Sequence, residues 1–392
     1  MREAGQILLG LFNGRIEGVH QRRLQAVAWA VTGAVAGGRV GLTAIGRACP
    51  SGSAKHAIKR SDRLLKNEKL FANHWLFFAA VARSLIGDAP HAAVLVDWTG
   101  AGEGRHALVA ALVHDGRAIP FAFELHATAA HGAPPVEEAF LERLKTEGLP
   151  AGCVPVLVTD AGFRTDWVLA ARRLGMDFVT RIPGRTLLLV QGRWQKAGDL
   201  ATAAGNQPTD VGDVAMTQGR KVIVRVVRNS RYRPSARQKR SRAKHGHRRT
   251  RAARRSATTP WVLATSLTAP PDQVVALYAK RMQIEEHFRD NKSHRFGLAL
   301  RYARHSTLTR YANLTLLACL VAIVLAITGR VAESCQFQRL QQANTIRNRR
   351  VLALTNLART FLRRPSHRHM HIRRLRRELV LLQRALSRAV PE

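Results

Sequence analysis

The sequence predicts an α/β protein in which a mixed sheet carries packed helices and is preceded and followed by helical regions. Three apolar or alternating runs begin at residue 91 and predict three consecutive strands, "HAAVLVDWT", "HALVAALVH" and "AIPFAFELH". After a helical pattern, "PPVEEAFLERLKTEG", the chain predicts a strand, a helix and a strand, "VPVLVTD", "TDWVLAARRLG" and "MDFVTRI". Near-continuous Val and Leu runs are typical of strands that helices cover on both faces.

Residues 1–88 have the Ala, Leu and Val spacing of helices and lack the alternation of strands. Within them, 42–67 predicts two helices joined by a Pro/Ser/Gly turn, with Ser53 capping the second helix. The second helix projects four basic side chains, Lys55, Lys59, Arg60 and Arg63. Such a pair suits a helix-turn-helix with its second helix on DNA, but a solvated basic face on a helical bundle explains the pattern equally well.

Residues 184–258 interrupt the regular pattern with short strand-like pieces, "TLLLVQ" and "KVIVRVV". They contain a basic arm, 228–255, with 13 Lys or Arg in 28 residues and no acid. The arm is too polar and self-repelling to fold alone, so we expect it to become ordered on a polyanion, with a solvated linker as the alternative. The strand pattern resumes at "PWVLATSL".

The chain of 392 residues has a net charge of +37, which predicts attraction to nucleic acid or to an anionic membrane surface. Its hydrophobic content of 46% excludes a wholly disordered polycation. The most apolar segment, 314–329, is shorter than the roughly 20 residues of a membrane span, so we predict a buried core helix and no membrane partner. The remaining helical region, 301–392, is basic and is a candidate for dimer or DNA contacts.

Cysteine usage and the N-terminal segment favour a reducing cytoplasm. The cysteines are far apart and predict neither a disulfide framework nor a CxxC metal site: Cys49, Cys153, Cys319 and Cys335. The N-terminal segment has an early acid and a short apolar run that glycine interrupts, unlike a signal peptide. The His cluster "PSHRHMH" is a weak indication of a metal site and is better explained as solvated charge.

Two aspartates follow apolar strand patterns. Asp97 ends "AAVLVD" and Asp160 ends "VPVLVTD". A carboxylate at the end of a buried strand is costly to desolvate unless something compensates it, and the ends of central strands are where α/β sheets build their sites. Either aspartate alone is explained by capping of the following turn. Together with a third acid they favour a cation site.

The segment "YAKRMQIEEHFRDNK" places two adjacent glutamates in this basic chain. If the segment is one continuous helix, four side chains fall within an arc of about 60°: Tyr278, Arg281, Glu285 and Lys292. Glu286 then points about 100° away from Glu285. A solvated face with an Arg281–Glu285 pair explains this stripe. The functional interpretation makes Glu285 a metal ligand and gives the other three contacts to DNA phosphates.

Asp97, Asp160 and Glu285 would repel one another if brought together, and divalent cations would relieve that repulsion. Mg²⁺ prefers carboxylates, water and substrate phosphate oxygens. Two such ions can activate a water or hydroxyl and stabilise the leaving oxygen at a phosphodiester. The three acids therefore predict a site for metal-dependent phosphodiester chemistry.

The stripe has the form Y-(2)-R-(3)-E-(6)-K and follows "LVDWT" and "VTDAGF". In this the sequence resembles a DDE transposase of bacterial insertion sequences, of the "insertion sequence four" group with the Y-R-E-K signature and the tetracycline-resistance composite transposon type. Further matches are "PWVLAT", "KRMQIEE-FRD-K" and "ANT-RNR", so the resemblance runs from about residue 90 to 352. The first 88 and last 40 residues match only in general character.

The resemblance implies an RNase H-like catalytic core over 89–300, with 184–258 as its β-rich insertion, and the predicted element order agrees. It implies that Asp97, Asp160 and Glu285 bind two Mg²⁺ ions, for which Mn²⁺ can substitute. It also implies that Trp261 stacks on an extruded base, although a core position after a strand start explains this residue too.

The implied activity is cut-and-paste transposition in a bacterial cytoplasm, at the nucleoid. A homodimer in a synaptic complex would bind the double-stranded inverted-repeat ends and target DNA, nick the end, form and open a hairpin, and transfer the strand. A nuclease that cleaves without joining, and a non-catalytic repressor derived from a transposase, remain alternatives. The Arg-rich arm departs from the family pattern and favours nonspecific, salt-dependent contacts.

Overall fold

A computed structural model of the chain describes residues 3–49, 52–102, 104–202, 207–229, 260–294, 297–302, 307–343, 345–346, 349–364 and 371–391. Of the predicted basic arm 228–255, all but residues 228 and 229 lies outside the described residues. The His cluster "PSHRHMH" lies outside them as well, apart from the backbone of His371, which begins a helix.

The helices confirm the periodicity of the N-terminal and C-terminal regions. In chain order they are α1 (Glu3–Leu11), α2 (Gln21–Gly37), α3 (Leu42–Ala48), α4 (Ala54–Leu65), α5 (Glu68–Ala72), α6 (His74–Ile86), α7 (Pro134–Arg143), α8 (Thr165–Arg173), α9 (Ala197–Thr202), α10 (Pro271–Ala279), α11 (Met282–Lys292), α12 (Leu308–Ser334), α13 (Leu354–Arg363) and α14 (His371–Ser387).

The strands follow the predicted alternation of strands and helices. They are β1 (His91–Gly100), β2 (Arg105–Leu112), β3 (Ile119–Ala127), β4 (Val154–Thr159), β5 (Asp177–Arg181), β6 (Leu187–Val190), β7 (Arg193–Lys196), β8 (Thr209–Met216), β9 (Val222–Asn229) and β10 (Trp261–Thr265). The order β1, β2, β3, α7, β4, α8, β5 is the strand and helix order that the sequence predicts.

The chain divides into two compact units, whose bounds differ from the predicted domains 1–88, 89–300 and 301–392. The first unit comprises Met1–Cys153 and Met282–Ala389, and the second comprises Val154–Arg281 and Val390–Glu392. The first unit therefore unites the N-terminal helices, the first three strands and the C-terminal helices. The predicted domain boundaries stay predictions.

Three antiparallel strands form the sheet portion of the first unit, in the order β3-β2-β1. Their interior is apolar, because the side chains of Ala92 to Val96 on β1 and of Ala107 to Leu112 on β2 are almost wholly buried. The register of β2 and β3 shifts between Ala110 and Ala111. Strand β1 is thus held along its length by a buried neighbour, which fixes the position of its polar end.

Helix α12 is the centre of the first unit. By length and composition alone it could cross a membrane, but 89% of its most apolar window is buried inside the protein. It packs against α1, α2, α4 and α5, against strand β3, and against α13 and α14. The predicted buried core helix is confirmed, and it is longer than the predicted 314–329.

A buried polar network ties the beginning of α12 to the N-terminal helices. The Asn313 amide donates to the carbonyl oxygens of Leu65 and Asn67 at 3.0 and 3.1 Å. Its Oδ1 lies 2.9 Å from Nε2 of His74. Burial lowers the pKa of His74 to about 4, so the imidazole is neutral at pH 7 and its Nε2–H donates to Asn313. Every polar group of Asn313 is therefore satisfied in a buried position.

The second unit contains strands in the order β4-β5-β10-β9-β8-β6-β7. Strands β4 and β5 are parallel and are connected through α8, whereas β10 runs antiparallel to both β5 and β9. Strands β6 to β9 and helix α9 lie between β5 and β10 in the chain, so the predicted insertion after "MDFVTRI" is β-rich.

We predict that Asn313→Ala destabilises the protein by about 2–4 kcal/mol, because it leaves two buried carbonyls and one imidazole N–H without their partner. Chemical denaturation followed by circular dichroism measures the change. Thr309→Ala, at the half-buried beginning of the same helix, loses one solvent-exposed hydrogen bond to Glu68 and is the control, with an expected cost of less than about 1 kcal/mol. Equal losses in the two variants would show that the network does not stabilise the fold.

Candidate active site

Asp97 lies at the point where strand β1 changes from buried to half-buried. The strand continues to Gly100, one residue beyond the predicted "HAAVLVDWT", and Asp97 follows the last buried residue of its apolar part. The continuation is paired with β2, with Asp97 opposite Val109 and Gly100 opposite His106. The backbone N–H of Trp98 donates to Oδ1 of Asp97 at 2.8 Å. The carboxylate is therefore oriented by its own strand, at the edge of the apolar interior.

The segment 278–292, which was expected to form one continuous helix, is divided between two helices. Helix α10 ends at Ala279 and helix α11 begins at Met282. Between them, the N–H groups of Lys280 and Arg281 bond to carbonyls three residues back, at 3.0 and 2.9 Å, instead of four. The prediction of one continuous helix is therefore wrong. The stripe of Tyr278, Arg281, Glu285 and Lys292 draws its members from both units, so it stays a prediction.

Within α11 the angular separation of its side chains holds. Glu285 and Lys292 are seven residues apart and share one side of the helix, whereas Glu286 points about 100° away from Glu285. Helix α11 packs against β1 and β3. Both glutamates are half-buried.

A hydrogen bond joins the side of α11 that carries Glu285 to the face of β1 that carries Asp97. The Lys292 ammonium donates to the Thr99 hydroxyl at 2.6 Å. Thr99 is two residues from Asp97, so both side chains project from the same face of the strand. Lys292 in turn shares its helix side with Glu285. The first unit therefore turns the Asp97 face of β1 and the Glu285 face of α11 toward each other.

Glu286 has ion-pair partners of its own. Its Oε2 lies 3.5 Å from Nη2 of Arg117 and 2.7 Å from Nη1 of Arg289. Arg117 also donates from Nε to Oδ2 of Asp290, at 2.8 Å. Sequence reasoning missed Arg117, because it lies in the β2–β3 loop, about 170 residues before its partners.

Asp160 immediately follows β4 in the second unit, as predicted. Its Oδ1 accepts from the N–H of Gly162 at 2.7 Å, and its backbone carbonyl accepts weakly from the Thr180 hydroxyl at 3.5 Å. A Cβ atom at Gly162 would lie 2.9 Å from that Oδ1, so any larger residue would shift the carboxylate from this position. The turn fixes the carboxylate whichever of its two expected roles, cap or ligand, it serves.

Trp261, Tyr278 and Arg281 also belong to the second unit. The Trp261 ring is 7% exposed and lies edge-on to Tyr278, with ring centroids 4.8 Å apart. Burial raises the pKa of Tyr278, although Arg281, which donates a hydrogen bond to its hydroxyl, opposes the rise. Tyr278 thus remains a neutral phenol that retains its proton. The burial of Trp261 agrees with a core position, and its base-stacking role stays a prediction.

The predicted basic face of the N-terminal region is present on α4. Ser53 caps the helix, with its hydroxyl accepting from the N–H of His56 at 3.4 Å, as predicted. The four basic side chains are exposed: Lys55, Lys59, Arg60 and Arg63. A Cβ at Gly46 would lie 2.7 Å from the backbone of Ile58, which shows how closely α3 and α4 approach.

Two arginines that sequence reasoning missed add to this surface. Arg22 and Arg23, at the beginning of α2, line a concavity of about 310 Å³ together with Arg60 and Arg63. Arg23 is held by a 2.7 Å hydrogen bond to Asn73, and the Arg60 guanidinium lies 4.4 Å from the centroid of the Trp29 ring. The pair "RR" at a helix start was the available signal, but its proximity to α4 depends on tertiary packing.

The chemistry of the predicted triad fits a hard divalent cation, because carboxylate oxygens are the ligands that Mg²⁺ prefers. Asp97 and Glu285 belong to the first unit and Asp160 to the second, so the triad as a whole stays a prediction. Within neither unit do three or more His, Cys, Asp or Glu side chains of the described residues gather as a metal ion would require.

A family model described as "Transposase DDE domain" matches residues 89–322, more than half of the chain. The match begins just before β1 and ends within α12, so it includes Asp97, Asp160 and Glu285. No curated protein sequence matches the chain.

Proposed function

Because the chain belongs to the DDE transposase family, whose catalytic domain has the RNase H-like fold, we propose that it is a cut-and-paste DNA transposase. It cleaves phosphodiester bonds at the ends of a mobile element and joins those ends to target DNA. It acts in the bacterial cytoplasm, at the nucleoid, where DNA is its substrate.

One observation supports this proposal most strongly, namely the 2.6 Å hydrogen bond between Lys292 and Thr99. It aligns the strand face that carries Asp97 with the helix side that carries Glu285 inside one compact unit. Two acids that are 188 positions apart in the sequence are thereby directed to the same region. A merely solvated acidic helix would have no reason to be bonded to that strand face.

Asp97, Asp160 and Glu285 would hold two Mg²⁺ ions, or Mn²⁺ in their place. When bound, such ions activate a water or a 3′-hydroxyl and stabilise the leaving oxygen of a phosphodiester. The backbone N–H groups that bond to Asp97 and Asp160 keep these carboxylates oriented. Lys292, which has three N–H donors, can bind a DNA phosphate while it donates to Thr99.

The positive charge of the chain serves DNA binding. In the N-terminal region, Arg22 and Arg23 extend the basic face of α4 and contact the phosphate backbone of the transposon end with it. Tyr278 and Arg281 contact phosphates near the scissile bond, and Trp261 stacks on an extruded base. With several phosphates neutralised, log K falls with log salt by about 0.9 for each phosphate.

The steps beyond first cleavage follow the pattern of the family resemblance. The freed 3′-hydroxyl attacks the opposite strand to form a hairpin, the hairpin is opened, and the 3′-hydroxyl then attacks target DNA. Two copies of the chain hold the paired ends in a synaptic complex. Incubation with labelled inverted-repeat ends and Mg²⁺ tests this: hairpin and strand-transfer products support transposition, nicks alone favour a nuclease, and binding without cleavage favours a repressor.

We predict that Glu285→Ala abolishes cleavage of a labelled transposon end and that Glu286→Ala retains much of it. The two side chains differ in role because Glu285 shares the helix side of Lys292, whereas Glu286 pairs with Arg117 and Arg289. Gel analysis of products in Mg²⁺ measures the difference. Equal loss in both variants would refute the division of roles between the adjacent acids.

We predict that Gly162→Ala lowers the cleavage rate at least about tenfold with little change in stability. The reason is that even a small displacement of a catalytic carboxylate from its working position slows the reaction. The added methyl would lie 2.9 Å from Oδ1 of Asp160 and displace it. Gly219→Ala is the matched control in the same unit, since no atom lies within 4 Å of its Cβ position. Cleavage by Gly162→Ala at the wild-type rate would argue against a ligand role for Asp160.

A further inference from the structure

Helix α11 divides its side chains among three sides. Glu285 and Lys292 lie on the side that is bonded to β1. Ile284, His287 and Asn291 form the side facing the interior, and Ile284 and His287 are almost wholly buried. A third side, centred about 130° from Glu285, consists of Gln283, Glu286 and Asp290.

The third side is fastened to the loop between β2 and β3. The backbone N–H of His114 donates to Oε1 of Gln283 at 2.8 Å, and the N–H of Ala118 donates to the Gln283 carbonyl at 3.1 Å. Arg117 donates to Asp290 at 2.8 Å and lies 3.5 Å from Glu286. One loop of six residues, 113–118, therefore binds α11 at both ends of the same side.

Arg117 makes the ionic contacts between this loop and α11. Its guanidinium contacts two carboxylates that are one helical turn apart, and its Nη1 donates to the carbonyl of Gly116 at 2.9 Å. A planar fork with five donors can hold three acceptors in fixed directions, which a lysine ammonium cannot. Rotation of α11 about its axis would break these contacts, and the same rotation would move Glu285.

The interior side adds little rotational restraint to the contacts that α11 makes with β1 and with the β2–β3 loop. Its polar contact is the 2.8 Å hydrogen bond between Asn291 and His287, which lies within the helix itself. Burial lowers the pKa of His287 to about 3, with a further contribution from Arg117, so the imidazole is neutral and its Nε2 accepts from the Asn291 amide. Apolar packing of Ile284 holds the helix against the interior but does not select one rotation as hydrogen bonds do.

We propose that Arg117 is a positioning residue for metal binding: through its 2.8 Å hydrogen bond to Asp290 it sets the rotation of α11 and thereby the direction in which Glu285 presents its carboxylate. The inference rests on the proposed function of Glu285 as a metal ligand. Residues that orient metal ligands affect metal affinity by about 10- to 100-fold without contacting the metal.

The test is a Mg²⁺ titration of end cleavage by Arg117→Ala, with DNA bound beforehand. The Mg²⁺ concentration for half-maximal cleavage is expected to rise at least about tenfold, with much of the rate recovered at saturating Mg²⁺. DNA affinity measured in EDTA is expected to stay unchanged. Arg117→Lys is expected to lie between the wild type and Arg117→Ala, because it keeps the charge and loses the fork.

Arg330→Ala is the matched control. Arg330 is half-buried like Arg117, and it pairs with Glu378 on α14 instead of with the carboxylates of α11. It is expected to lose stability while keeping the wild-type Mg²⁺ requirement. Asp290→Asn, which preserves side-chain shape, gives the same test if Arg117→Ala does not fold, and is expected to raise the requirement similarly.

An unchanged Mg²⁺ requirement in folded Arg117→Ala or Asp290→Asn, or an equal shift in Arg330→Ala, would overturn the positioning role. Failure of the proposed function has a different signature. In that case the wild type would not cleave in Mg²⁺, or Glu285→Ala would cleave as well as the wild type.

Discussion

The first unit depends on one constraint, which is that helix α12 is apolar on every side and must be covered on every side. No single neighbour can do this, so helices from both termini and strand β3 gather around it. This accounts for the union of the N-terminal and C-terminal regions in one compact unit, although they are far apart in the sequence. Its beginning, at Asn313, is fixed to the N-terminal helices by hydrogen bonds that leave no buried polar group of the side chain unpaired.

Acidic side chains are few in this basic chain, and several of them form ion pairs between elements that are distant in the sequence. Arg310 of α12 pairs with Asp62 of α4, Arg330 of α12 pairs with Glu378 of α14, and Arg117 of the β2–β3 loop pairs with Asp290 of α11. The Arg310–Asp62 and Arg117–Asp290 pairs are partly solvated and contribute little stability alone, whereas Glu378 is buried and depends on Arg330. Their value is geometric, because each one fixes the orientation of a helix. The surplus of positive charge is left for the polyanion that a transposase must bind.

Features that depend on neighbouring residues could be predicted from the sequence. Features that depend on contacts between distant parts of the chain could not. Ser53 as a cap, Asp160 directly after a strand and the alternation of β1 to β5 all follow from neighbouring residues, and the structure confirms them. The break after Ala279 carries no Pro or Gly signal, so one helix was predicted where there are two. Arg117 resembled an ordinary loop residue, and α12 was predicted too short because Asn313 is polar. The burial of Asn313 is favourable only because of its hydrogen-bond partners, which lie more than 200 positions earlier in the chain.

Asp97, Asp160 and Glu285 are proposed to be the metal ligands of one cleavage site. The most direct measurement substitutes each with cysteine in turn and compares cleavage in Mg²⁺ and Mn²⁺, since a thiolate binds Mg²⁺ poorly and softer metals better. Each of the three variants is predicted to be inactive in Mg²⁺ and to regain measurable cleavage in Mn²⁺, while Glu286→Cys cleaves in both. Recovery at none of the three positions, or full cleavage in Mg²⁺ by all of them, would contradict the account.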